Sequence, residues 1–134
     1  MTVLVGAAFP VPLHQPAENV RKIEIFDTSL KTEKLLYTLD ETEIPAFMDQ
    51  LQELKAGKFV NDPILEYGIV AVRITYADGY ADTLGPEHCD YLSPSGEDKA
   101  RGWYYMDEDL FLELIARYVD SSLIEAAAAN VKLE

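Results

Sequence analysis

Cys89 is the lone cysteine of this chain, so no intrachain disulfide can form. That fits a reducing compartment, and equally an exported protein that needs no disulfide. Histidine is almost as scarce, with only His14 and His88, and no CxxC, HExxH or EF-hand spacing occurs. Gly-rich phosphate loops are missing. No apolar run approaches the ~20 residues that cross a bilayer, so no transmembrane span is expected. Basic residues are few: 11 Lys and Arg against 24 Asp and Glu give a net charge of -13. A surface of that sign repels phosphate backbones and anionic membranes, which argues against nucleic acid and lipid headgroups as partners. A basic protein partner is compatible with it.

What is present is ordinary globular material. The chain has 134 residues, 49% of them apolar and 26% charged, enough for one domain that needs neither metal nor disulfide as a staple. Part of the acidity has a local use. Asp40, Glu41 and Glu43, then Asp107, Glu108 and Asp109, stand where helices are expected to begin, and there negative charge complements the helix dipole.

The chain divides into an N-terminal Pro-rich arm (1–19), one domain (20–120) and a C-terminal helical or frayed tail (121–134). The arm, "MTVLVGAAFPVPLHQPAEN", has two readings. The favoured one is a segment that packs as an irregular or edge strand. The other is the remainder of an export signal, with small residues at Gly6 and Ala8 but an apolar part too short for a full signal. Localisation is therefore read as either cytoplasmic or exported and envelope-associated. The terminal Leu133-Glu134 pair has the form of a vector remnant.

"VRKIEIFDT" alternates as a strand, and "EKLLYTLD" reads as a second one after a short connection at Ser29 to Thr32. A helix is predicted over about Glu43 to Ala56. Asp40 or Thr42 caps it, Pro45 lies in its first turn, and Gly57 suits its stop. Its Phe47, Met48 and Leu51 are core residues by default. "YGIVAVRITYADGYADTLG" reads as a hairpin turning at Asp78-Gly79. Pro86 to Gly102 reads as a long polar connection with a short strand at Cys89 to Leu92, and "GWYYM" as the last strand. Asp107 then caps a helix whose apolar face is Leu110, Phe111, Leu114, Ile115 and Tyr118. Ser121 or Ser122 can cap one more short helix. The order β-β-α-β-β-β-α predicts an α+β fold: a single, mostly antiparallel, curved sheet of about 4–6 strands with two main helices on one face.

The combination of "KIEIFDT", "LLYTLDETEI", "YGIVAVRITYADG" and "WYYMDEDLFLELIARYV" resembles small uncharacterised bacterial domains. Many of these come from Gram-positive gut or soil species, and several are exported or lipid-anchored. The resemblance covers about residues 20 to 120. It implies a bacterial origin, adds weight to export, and carries no catalytic motif.

The candidate chemistry begins with "GPEHCDY", residues 85 to 91. Glu87, His88, Cys89 and Asp90 are four consecutive side chains able to bind a metal or move a proton. In an extended backbone Glu87 and Cys89 point one way, and His88 and Asp90 the other, so Cys89 and His88 make a poor nucleophile pair. A loop bringing Glu87, His88 and Asp90 together would make a weak metal site. The favoured reading is a polar connection whose Cys89 fills part of the core. Asp78 and Asp82 flank the hairpin tip, where a structural role for both outweighs acid–base work. "SPSG" is turn chemistry. The stronger functional feature is aromatic: Tyr76, Tyr80, Tyr91, Trp103, Tyr104 and Tyr105 either form a tyrosine-rich interface or cover the sheet edge and the core rim.

The leading expectation is thus a non-enzymatic bacterial module that binds a protein or envelope partner and carries no cofactor. One alternative is an acidic inhibitor or immunity-type protein acting on a basic partner. The other is a small metal-dependent hydrolase using Glu87, His88 and Asp90. Nothing in the pattern specifies an oligomeric state.

Overall fold

The computed structural model describes residues 4–9, 11, 13–30, 32–54, 56–59, 69–86, 88–103 and 106–132. The fold is α+β. Strands β2 (Val20–Asp27), β3 (Lys34–Thr38), β5 (Val70–Tyr76), β6 (Ala81–Leu84), β7 (His88–Leu92) and β8 (Asp98–Trp103) form one open antiparallel sheet in the order β3-β2-β5-β6-β7-β8. β1 (Leu4–Phe9) and β4 (Ala56–Phe59) pair separately as a two-stranded antiparallel sheet. Helices α1 (Ile44–Glu53), α2 (Glu108–Ala116) and α3 (Ser121–Lys132) complete the chain. None of the described helices is long and apolar enough to cross a membrane.

Register sets the core. Ile23 pairs with Ile74, Ile25 with Val72, Val72 with Leu84, and Leu84 with Cys89. Directly opposed residues share a sheet face, so these side chains make one buried apolar surface. Against it pack Phe47, Met48 and Leu51 of α1 and Phe111, Leu114 and Ile115 of α2. The same register carries Asp82, opposite Ile74 and two residues before Leu84, onto the core face. The other face bears a polar row in which Glu24 pairs with Arg73, Arg73 with Thr83 and Thr83 with Asp90. Arg73 there donates to Thr83 Oγ1 at 3.0 Å, pairs with Glu33 at 2.9 Å, and lies 4.6 Å over the Phe26 ring.

Local chemistry explains the junctions. Gly79 has φ of 89°, which only glycine adopts cheaply, and Asp78 Oδ1 accepts from the Tyr80 N–H, so Asp78-Gly79 is the hairpin turn. Asp40 caps the 3₁₀ turn Glu41–Glu43 that leads into α1. Its carboxylate accepts from the Thr42 N–H, and Glu43 accepts from the Asp40 N–H, a reciprocal capping box. Asp107 accepts from the Leu110 N–H at the start of α2.

Three elements differ from the sequence reading. α1 ends at Glu53 with Leu54 as its cap, and Ala56–Phe59 is strand, because the arm supplies β1 as a partner that propensity cannot anticipate. The last strand is Asp98–Trp103 rather than Gly102 to Met106. Its Asp98, Lys99 and Arg101 read as loop, yet charged residues are what an edge strand uses to resist pairing with other chains. Ser121–Lys132 is a full helix, started by Asp120 accepting from the Ser122 N–H, with Ala127 buried and Asn130 donating to Ser29 Oγ.

The Asp40 hydrogen bonds, first that from the Thr42 backbone and then that from its hydroxyl, hold the Asp40 carboxyl below the usual carboxylate range. The folded chain binds that proton less tightly than the unfolded one. The stabilisation is therefore present above the unfolded value of about 3.9 and is lost as pH falls through the folded value. Asp40→Ala is expected to lower the urea midpoint at pH 7, with the gap to wild type closing as pH drops below about 3.9. A gap that stays constant into acid would show that the carboxylate charge does not act there.

Candidate functional site

The first site is built around a carboxylate. Asp82, wholly buried on β6, receives four donors. Its Oδ2 accepts from the His14 backbone N–H at 2.8 Å and from the Tyr76 hydroxyl. Its Oδ1 faces His14 Nδ1 at 2.6 Å and accepts from the Cys89 thiol at 3.3 Å. A buried charge is tolerated only when paired and hydrogen-bonded, and here an arm residue, β5 and β7 all supply donors. Since a carboxylate can only accept, it assigns the proton to His14 Nδ1. Tyr76 stays a donor throughout the ordinary pH range. Burial, then the hydrogen bond to Asp82 and its negative charge, pushes the phenol well above its usual value.

The arm is pinned outward from this point. The His14 ring stacks on Tyr91 at 4.5 Å between centroids, and Tyr91 stacks on Tyr80 at 5.2 Å. Gln15 donates to the Tyr91 hydroxyl at 2.7 Å and to the exposed Asp78 carboxylate. The Asn19 carbonyl accepts from the Ala77 N–H at 2.8 Å, so both ends of the 14–19 segment are tied to the hairpin.

"GPEHCDY" therefore resolves into separate parts. Cys89 is buried on the core face and joins Asp82 and His14. Asp90 is buried on the opposite face, in register with Thr83 and Arg101. The His88 backbone pairs with Trp103, while its side chain and all of Glu87 lie outside the described residues. Asp78 and Asp82 do not act as a pair: one is an exposed turn residue, the other is interior.

The expected aromatic interface is also redistributed. Tyr76 is 1% exposed, so the interface assignment is corrected for it: strand parity with Val72 and Ile74 puts it in the core. Tyr80 and Tyr91 are half-buried and stacked on each other, and Tyr91 also stacks on His14. Tyr104 and Tyr105 lie outside the described residues, as does the side chain of Trp103, whose backbone ends β8.

Sequence reasoning missed His14, and its signal was slight: a histidine in a proline-rich arm, 68 residues from its partner. Asp82 was more legible. It shares strand parity with Leu84, and an acid at an inward position needs a donor.

The second site is a groove of about 550 Å³ between the 3₁₀ turn Ala17–Asn19 and the first half of α1. Val20, Ile44 and Met48 form an apolar floor, while Glu18, Glu41 and Asp49 stand around it with exposed carboxylates. Arg21, the one basic residue lining it among those described, spends its guanidinium on the backbone carbonyls of Glu18 (2.7 Å) and Val20 (3.1 Å). The size is that of a ligand pocket, and the wall carrying Glu18 hangs from the pinned segment.

Comparison with family models, with curated proteins and with solved structures finds no match to this chain.

Proposed function

We propose that this chain is a bacterial protein-binding module whose partner presents a basic segment tipped by an apolar side chain. The observation that carries the reading is the groove beside α1, where an apolar floor meets three carboxylates. An apolar anchor buried on Val20, Ile44 and Met48 supplies affinity by leaving water, and flanking Lys or Arg answers Glu18, Glu41 and Asp49. The net charge of -13 supports the same sign of partner over the whole surface, and steers its approach. That charge also favours a second reading of the same chemistry, an acidic inhibitor whose partner is a basic enzyme or toxin. Loss of the partner's activity on binding would distinguish it.

Selection from a random peptide display library on the full chain tests the proposal. Recovered peptides are expected to carry Lys or Arg next to a large apolar residue. Their affinity should fall at least about tenfold in Glu18→Lys/Asp49→Lys, since each lost charge pair is worth on the order of 1 kcal/mol, and should weaken steeply with salt. Peptides without basic residues, or affinity indifferent to both charge reversal and salt, would overturn it.

A further inference from the structure

We infer that His14, Asp82 and Cys89 form a binding site for a divalent cation of the zinc class. Among the described residues they are the one group of three metal-ligating side chains, and their donor atoms all lie within 4.8 Å of one another. The inference is independent of the groove and its partner.

The carboxylate is already divided between two tasks. Oδ2 is held by the Tyr76 hydroxyl and the His14 backbone N–H, the kind of support that orients ligating carboxylates. Oδ1 is met by the Nδ1 proton of the imidazole and the proton of the thiol. Both of those protons belong to groups that give them up to metals. A cation entering among Oδ1, Nδ1 and Sγ takes their place. The thiol becomes thiolate and releases one proton to solvent, while the neutral imidazole moves its proton to Nε2. The charges then balance: two negative ligands, one neutral ligand and a dication make an electroneutral centre, as a buried position requires.

Ligand chemistry selects the metal. A thiolate and an imidazole beside one carboxylate suit zinc and its neighbours, and disfavour magnesium and calcium, which take oxygen donors. Geometry names what must move. Two ligands about 2.0 Å from a tetrahedral zinc lie roughly 3.3 Å apart. The 2.6 Å His14–Asp82 contact must therefore open, whereas Cys89 at 3.3 Å from Oδ1 is already near its place. Asp82 and Cys89 are fixed on adjacent paired strands. His14 lies on the arm, and its side chain is one-third exposed, so the arm supplies both the small displacement and the path from solvent.

The test is cobalt and zinc titration of the reduced full chain, with wild type, Cys89→Ser, His14→Ala and His88→Ala each shown to be folded by circular dichroism. Wild type is expected to bind one equivalent, with a thiolate-to-cobalt charge-transfer band. Zinc at about a hundred times its Kd should raise Tm by roughly 5–10 °C. Cys89→Ser should abolish the band. His14→Ala should weaken binding by about tenfold or more, and His88→Ala should leave it unchanged. Failure of wild type to show the band overturns the inference. So does a band that needs His88 instead of His14, or a preference for magnesium or calcium over zinc.

Discussion

Asp82→Ala is expected to cost about 3–5 kcal/mol of folding stability, because it leaves several interior donors without their acceptor at about 1–3 kcal/mol each. The side chain is fully buried, so the loss is not softened by water. The Tyr76 hydroxyl and the His14 backbone N–H both lose their acceptor in an apolar setting, and His14 loses the contact that docks the arm. Asp82→Asn keeps the shape and one acceptor oxygen but turns an N–H₂ toward other donors. It should cost less, about 1–3 kcal/mol. Urea unfolding with a chelator present measures both, and a single domain of this size unfolds closely enough to two states for the comparison. Release of the arm should appear separately, as faster proteolysis near Gln15 at urea concentrations too low to unfold the sheet. An Asp82→Ala protein within about 1 kcal/mol of wild type would mean that the network does not hold the arm.

Phe47→Ala should cost a comparable amount, about 3–5 kcal/mol, for a different reason. Phe47 is fully buried on α1, and its ring meets Tyr118 edge-on at 5.4 Å and 65°. The Tyr118 hydroxyl in turn donates to Gln50 at 2.9 Å, so one aromatic pair and one hydrogen bond join α1 to the chain just beyond α2. Truncation leaves a cavity under α1 and removes the ring pair, which is worth about 0.5–1.5 kcal/mol beyond its area. Leu35→Ala is the control. Leu35 is 49% exposed on the edge strand β3, and its loss should stay near 0.5 kcal/mol. Equal effects of the two substitutions in urea would refute the packing described for α1. The groove depends on the same helix through Ile44 and Met48, so Phe47→Ala should also weaken peptide binding.

How much of this was legible in the chain varies by element. Alternation from Lys22 to Ile25 and from Val72 to Tyr76 identifies two strands and the face each buries, with both faces covered at Ile25 to Asp27 and at Val70 to Val72. Asp78-Gly79 marks the turn between β5 and β6, and Asp40 with Glu43 marks the start of α1. In each case the physics lies within four residues of sequence. β8 was not legible because an edge strand is built from charged residues that also make loops. β4 was not legible because a four-residue strand exists only by virtue of its partner β1. Tyr76 shows the same limit from the other side. Its type suits an interface, and only pairing with Val20 in a central position of the sheet makes it interior.

The sequence by itself determined the α+β class, helices α1 and α2 with the caps at their starts, the central hairpin and the acidic composition. Each follows from periodicity, turn chemistry or composition, which act locally or as sums. Only the tertiary structure decided what Cys89 of "EHCD" meets. Cys89 meets Asp82 because β6 and β7 pair in one register, and His14 reaches Asp82 because the arm folds back across 68 positions. No local propensity specifies such a contact. It forms because a carboxylate placed by strand parity in an apolar interior must find donors, and the arm brings them.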